Sequence, residues 1–250
     1  MDMNKRELSN ADIISDYNRI YSGPGIRANS AYYRWLLKLL NPKPNSRLLD
    51  VACGEGIFLR EFAKSVKGAW VGGLDISDKA LLRAKVNVPS GYLVNGDGHH
   101  LLFKDEEFDY VSCLGSLEHY LDPEKGMHEL YRVGKKDAFF CIVLPNSVSI
   151  DFLQHVIRNG SKPVEDFQII ERTATRVEWE KMLQKCGFEI VKVYGSNLWP
   201  ELFQEGTFKI KSIPKYIKRK LIKAFCPLNL SREFVFICRK AVSDRDLMAA

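Results

Sequence analysis

The stretch "RLLDVACGEGIFLREFAKSV", Arg47 to Val66, constrains the fold of this chain more than any other. An apolar strand-like run reaches Asp50 and then Gly54 and Gly56, one residue apart. It passes into a segment whose apolar residues Ile57, Phe58, Phe62, Ala63 and Val66 recur at helical spacing. Strand, tight glycine turn and helix, in that order, let a ligand approach the backbone at a helix N-terminus. Alone the signal is weak, and its weight depends on what surrounds it.

The same alternation continues along the chain. "AWVGGLDI" reads as a second strand, "SDKALLRAKVN" as a helix with Ser77 as N-cap, and "GYLVNGD" as a third strand. "FDYVSCLG" is the fourth strand, "DPEKGMHELYRVG" a helix with Pro123 in its first turn, and "DAFFCIVLPN" the fifth strand. After an irregular stretch, "TRVEWEKMLQKCG" is a helix closed by Gly187, "FEIVKVYGS" a strand, and "REFVFICRK" the last strand. Alternating strands and helices predict an α/β fold, a mainly parallel sheet covered on both faces, with ligands beyond the carboxyl ends of the strands. Residues before Arg47 form helices, and 197–231 is an insertion before the last strand. The predicted organisation is a helical lid at 1–46, a ligand-binding domain at 47–240 and a tail at 241–250.

Asp75 ends the second strand about 20 residues past the glycine turn, where dinucleotide-binding folds place an acid on the ribose hydroxyls. A nucleoside-containing ligand follows. Asp50 then decides which kind, because a carboxylate at the turn repels a pyrophosphate and attracts ammonium and sulfonium groups. The third glycine of a dinucleotide turn is also missing, since Leu59 stands there. The ligand is nucleoside-like but cationic near the turn, which describes S-adenosyl-L-methionine better than NAD.

At this point the chain resembles the class I S-adenosylmethionine-dependent methyltransferases, in particular the broad group acting on small molecules. "LLDVACGEG", "VGGLDIS", "GDGHHLLFKDEEFDYVSCLGSLEHYLDPEKGMHELYRVGK" and "WEKMLQKCGFEIVKVYG" carry the resemblance over about residues 45 to 195. The family turn is usually D-x-G-x-G-x-G, and here Ala52 replaces its first glycine. The resemblance implies a Rossmann-like, doubly wound sheet of seven strands with an antiparallel last strand. It also implies that Gly54 and Gly56 pass beneath the methionine part of the cofactor while Asp50 orients its ammonium group. Asp75 would take the ribose hydroxyls, Ile76 would pack on the adenine, and Asp97, with Gly98 beside it, would accept from the exocyclic amine. Leu114 and Gly115 would line the methyl end. Tyr17, Tyr21 and Arg27 would close over the cofactor, with Arg27 meeting its carboxylate.

The base candidate is His119 in "GSLEHYLDP", following the fourth strand, because an imidazole titrates near neutral pH. The competing reading is that Glu118 and His119 hold the loop or cap the helix near Pro123. His99 and His100 are adjacent in a turn and read as packing or solvated side chains. No CxxC pair or HExxH spacing supports a metal. Where nucleic-acid methyltransferases of this type carry (Asn/Asp)-Pro-Pro-(Tyr/Phe) or Pro-Cys, this chain reads "CLGSLEH", so those acceptors lose support, as does metal-dependent catechol chemistry.

The 250-residue chain is 46% apolar, enough for a sizeable core, and carries a net charge of +6. Eight Lys/Arg and no acid lie between Gly206 and Arg232, so the basicity is local and the remainder is slightly acidic. Overlapping the basic segment 209–223, "SIPKYIKRKLIKAF" (212–225) spaces Ile213, Ile217, Leu221 and Phe225 by four, with basic residues over much of the rest. Two readings lead, a lid helix with a solvated basic face or a contact with an anionic membrane or anionic acceptor; RNA binding ranks third, because the aromatics are too few and scattered for a stacking platform. Six dispersed cysteines, a polar opening segment and the absence of a long apolar run predict a reduced, cytoplasmic protein, at most peripheral to a membrane. The expected activity is methyl transfer to an oxygen or nitrogen of a small molecule such as a sugar, quinone or lipid-linked intermediate. A cofactor-binding regulatory protein and an RNA or protein methyltransferase are the alternatives.

Overall fold

The computed structural model describes residues 8–23, 30–162, 169–197 and 226–241. Arg27 and the basic segment 209–223 lie outside the described residues. The strands are β1 (Arg47–Val51), β2 (Trp70–Asp75), β3 (Tyr92–Asn95), β4 (Phe108–Leu114), β5 (Gly134–Pro145), β6 (Phe188–Ser196) and β7 (Glu233–Lys240). They form a single sheet in the order β3-β2-β1-β4-β5-β7-β6. Pairing is parallel from β3 through β5, and β7 runs antiparallel to both of its neighbours. The doubly wound sheet with an antiparallel last strand is thus the fold present.

Because side chains alternate across each strand, the sheet has two apolar faces, and helices cover both. On one face Leu48, Val71, Val143 and Ile237 meet α2 (Ser30–Leu40) and α3 (Ile57–Ser65) through Leu36, Phe58 and Phe62. Helix α4 (Asp78–Asn87) lies on this side and begins on Ser77, whose hydroxyl accepts from the Ala80 N–H. On the other face Leu49, Val111, Phe140 and Phe236 meet α5 (Pro123–Val133) and α7 (Arg176–Lys185) through Met127, Leu130, Trp179 and Leu183. Helix α1 (Asn10–Ser22) stands apart from both layers; only Ile13 and Asp16 are buried in it, and it leans on α4.

Two segments differ from the sequence reading. The stretch taken as irregular after β5 contains α6 (Ile150–Asn159), capped by the Ser149 hydroxyl and closed by Gly160 in the left-handed region. No residue of α6 is fully buried, so caps rather than a core face mark its ends. Strand β5 also starts earlier than Asp137, directly after α5: Gly134 is extended and pairs with Phe108 before the register shifts. A Cβ at Gly134 would lie 2.4 Å from the Phe140 ring, so only glycine fits that crossing. All six cysteines are free thiols, five of them buried. Among the described residues no helix is long and apolar enough to cross a membrane.

Trp179 ties the carboxyl end of the sheet to α7. It is 1% exposed and donates from Nε1 to the Pro145 carbonyl at 2.8 Å. Replacing it with Phe keeps most of the apolar burial but orphans that carbonyl, and urea unfolding should show a loss of about 1–3 kcal/mol. Trp179→Ala should cost about 3–5 kcal/mol.

Candidate functional site

The turn between β1 and α3 is wound by three residues of positive φ, Ala52 (57°), Gly54 (53°) and Gly56 (71°). Each glycine serves a separate contact. A Cβ on Gly54 would lie 2.6 Å from the Tyr21 hydroxyl of α1, and one on Gly56 would lie 3.0 Å from Ala84 of α4. Gly56 accordingly lets α4 pack on the turn, and it lines neither cavity described below. Arg83 of α4 holds Glu55 in an ion pair of 2.5 Å and also donates to the Gly23 carbonyl, joining the end of α1 to the turn. Ala52 takes the strained backbone that a first glycine would take freely.

Parallel pairing brings the carboxyl ends of β1, β2 and β3 to one edge, and three acids with them. Asp50 is 3% exposed and accepts at 2.6 Å from the Ser112 hydroxyl, its partner across the β1–β4 ladder. Asp75 is 4% exposed; Oδ2 accepts from the Gly54 N–H at 2.7 Å and Oδ1 from the Ser77 N–H at 2.9 Å. Burial raises its pKa to about 6, against the restraint of its backbone hydrogen bonds. Asp97 follows β3. Partial burial pushes its pKa up, but donors from the His99 backbone and imidazole and from Asn10 outweigh it and leave the carboxyl below the usual range.

Two adjoining cavities run along this edge. Asp50, Gly54, Leu114 and Gly115 line the first; Asp75, Ile76, Asp97, Gly98 and His119 line the second. Tyr17, Tyr21, Ala52 and Ser116 line both. Along α1, Asn10, Ile13, Tyr17 and Tyr21 form one helical stripe that borders the second cavity. Among the described residues no Lys or Arg lines either cavity.

His119 is 8% exposed. Its Nδ1 lies 2.5 Å from the Ile170 carbonyl, which can only accept, so Nδ1 carries a proton and, in the neutral ring, Nε2 holds the lone pair. Nε2 stands 3.6 Å from Glu118 Oε1, and the Tyr17 ring meets the imidazole edge-on at 6.4 Å. Glu118 is buried at 5% and lines neither cavity. Arg172 braces this loop from outside, donating to the carbonyls of Glu118, Tyr120 and Leu121. Ser112, Ser116, Tyr120, Asn10 and Arg172 were not singled out from the sequence. Only the α1 stripe had a readable signal, its spacing of three and four.

The donor set fits S-adenosylmethionine. The acids at the strand ends suit an ammonium, ribose hydroxyls and an exocyclic amine, whereas a ligand led by phosphates would find three carboxylates and no described cation. Among the described residues no three His, Cys, Asp or Glu side chains are grouped to hold a metal.

The fold is shared with solved S-adenosylmethionine-dependent methyltransferases. The methyltransferase-domain family model matches residues 49–142. A demethylmenaquinone methyltransferase of Corynebacterium kroppenstedtii is 39% identical over 99 residues, 39% of this chain and 41% of its own. A ubiquinone biosynthesis O-methyltransferase of Azoarcus sp. is 27% identical over 168 residues, 62% of this chain and 69% of its own. The solved phosphoethanolamine N-methyltransferase 2 of Haemonchus contortus, in complex with S-adenosyl-L-methionine, has a TM-score of 0.58 at 19% identity, covering 96% of this chain and 59% of that one. The chain spans about a third to a half of the length of the curated relatives it matches at 35–39% identity. Over residues 49–142 the chain is similar to the methyltransferase-domain family.

Glycine chemistry at the turn is open to test. Ala52→Gly relieves a left-handed alanine worth about 1–2 kcal/mol and gives back about 0.5–1 kcal/mol in unfolded-state entropy, so thermal unfolding should show an equal or slightly higher Tm. Gly54→Ala should lower Tm and displace Tyr21, because both its φ and the Tyr21 hydroxyl oppose a methyl group.

Proposed function

We propose that the protein transfers the methyl group of S-adenosylmethionine to a nucleophilic oxygen or nitrogen of a small-molecule acceptor. Hydroquinones are the acceptor class to test first. The observation that carries the reading is the line of Asp50, Asp75 and Asp97 along two joined cavities that no described Lys or Arg lines. The quinone class draws on relatives whose names place them on demethylmenaquinone, methyl-phytyl-hydroquinone and ubiquinone precursors.

When bound, the cofactor supplies an electrophilic methyl group on a sulfonium and leaves as a neutral thioether. The protein's part is alignment and proton management. In this reading Asp50, steadied by Ser112, orients the ammonium group, and Gly54 admits the methionine chain beneath Tyr21. Asp75 accepts from the ribose hydroxyls, and Asp97 accepts from the adenine amine, with Ile76 and Gly98 beside the base. Leu114, Gly115 and Ser116 border the methyl end, where the two cavities meet. His119 takes the acceptor's proton on Nε2, and Glu118 at 3.6 Å favours the imidazolium that forms.

A labelled-cofactor assay against hydroquinones, catechols, amines and sugars tests the activity. Methylated hydroquinone is the expected product. Tight cofactor binding with no product across all four classes would leave a regulatory binder as the better reading. His119→Asn should lower kcat at neutral pH by about 10²–10⁴-fold while cofactor affinity stays within a few-fold. An unchanged kcat would return His119 to a loop-holding role.

Asp75 makes the cofactor site pH-sensitive. Its raised pKa means that the ligand-free folded protein holds this proton more tightly than the unfolded chain does. The stabilisation from this group, of the order of 3 kcal/mol, is present below about pH 4 and is lost as pH rises through about 6. Ribose hydroxyls donate to the ionised form, so cofactor binding releases the proton. Titration calorimetry should find affinity steady above about pH 7 and falling by up to about tenfold per pH unit below 6. Asp75→Asn should bind weakly and lose that dependence.

A further inference from the structure

The adjacent histidines His99 and His100 have no part in the chemistry above. His100 sits at the surface 2.8 Å from Lys125 Nζ. His99 is enclosed, with 11% of its side chain exposed, and each of its three nitrogens is engaged. Its backbone N–H donates to Asp97 Oδ1 at 2.9 Å and its Nδ1 lies 2.5 Å from the same oxygen. Its Nε2 accepts from the Asp122 N–H at 3.2 Å, and Asp122 is the N-cap of α5. The ring leans on Tyr120 at 4.8 Å, and the Tyr120 hydroxyl fills the space over Gly98, where a Cβ would come within 2.0 Å of it.

These contacts select one tautomer. An N–H donor faces Nε2, so Nε2 carries the lone pair and Nδ1 carries the proton toward the carboxylate. Two donors on Oδ1 then stop the Asp97 carboxylate from turning about its last bond, because turning would break both. Oδ2 is left to Asn10 Nδ2, which meets it at 2.9 Å, and both residues line the second cavity. A side chain that only filled the His99 space would leave Oδ1 with its backbone donor alone, and the exposed Asn10 amide on Oδ2 would be the one other restraint on the carboxylate.

We propose that His99 is a positioning residue that makes the cofactor site specific for adenine. It holds Asp97 in the orientation in which Oδ2 accepts from the exocyclic amine, and so rejects hypoxanthine, which carries a carbonyl there. The inference rests on the proposed role of Asp97, and both can be tested together. A site built around a hydrogen bond discriminates strongly against an analogue lacking the donor, since the acceptor is then left unpaired.

The experiment compares the binding of S-adenosylhomocysteine and S-inosylhomocysteine by titration calorimetry to the full chain and four variants. The unaltered protein should prefer the adenosyl compound by about tenfold or more. Asp97→Ala should abolish the preference, and His99→Ala should bring it within about threefold of unity. His99→Asn, whose amide can donate to Oδ1 from the Nδ1 position, should restore most of it despite a lower Tm. Should His99→Ala unfold, His99→Leu fills the space without a donor and makes the same comparison with His99→Asn. If the unaltered protein shows no preference, or Asp97→Ala keeps it, the role of Asp97 fails and the inference with it. If Asp97→Ala loses the preference while the donor-less His99 variants keep it, Asp97 stands and the positioning role of His99 is overturned.

Discussion

The buried Asp75 carboxylate holds the site together. One oxygen takes the Gly54 N–H of the turn after β1 and the other takes the Ser77 N–H at the start of α4, so a single side chain fixes the end of β2 to both flanking segments. An unneutralised carboxylate at this depth is costly, and its pKa of about 6 records that cost. Folding tolerates it because two backbone donors are already aimed at it. In the proposed site a ligand that adds hydroxyl donors would complete its solvation, which would account for a costly buried carboxylate at this place.

Around that centre the site is assembled from distant parts of the chain. Asp50 is steadied by Ser112 from the neighbouring strand, and Asp97 is held by His99, which is braced in turn by α5. His119 is oriented by the Ile170 carbonyl, while Arg172 gathers three carbonyls of the same loop. Helix α1 joins the cofactor edge through Asn10 on Asp97, Asn18 on Ser77 and the Arg83 contact with Gly23. Its Ile13, Tyr17 and Tyr21 close one side of the cavity while little of the helix enters the core. Most of these links are single hydrogen bonds between segments that pack elsewhere, so positioning is separable from folding at several points.

Much of this was readable in advance where the signal was local. Short apolar runs marked the seven strands, the segments between them marked α3, α4, α5 and α7, helices without bounds were expected before Arg47, and Ser77, Pro123 and Gly187 marked helix ends. Helix α6 escaped because its boundaries rest on Ser149 and Gly160 while none of its residues is fully buried. The early start of β5 escaped because Gly134 looks like a helix terminator and is also the first residue of a strand. Of the site, the cavity-lining acids and glycines stood out by chemical type at fixed spacing. Their supporting residues did not, since a serine or an arginine has no special meaning until its neighbour is known.

By itself the sequence determined the alternation of strands and helices, the winding of the turn at Gly54 and Gly56, and the acidic character of the ligand edge. Those properties belong to backbone sterics and to the charge of individual side chains, which travel with the residue. Tertiary structure alone decided which residues face one another: Ser112 opposite Asp50, His99 between Asp97 and α5, Ile170 against His119, and α1 beside the cavity. Such pairings join positions up to 87 residues apart. They exist only once strand order and helix packing have closed the intervening chain, because a hydrogen bond acts over about 3 Å and carries no trace in local sequence.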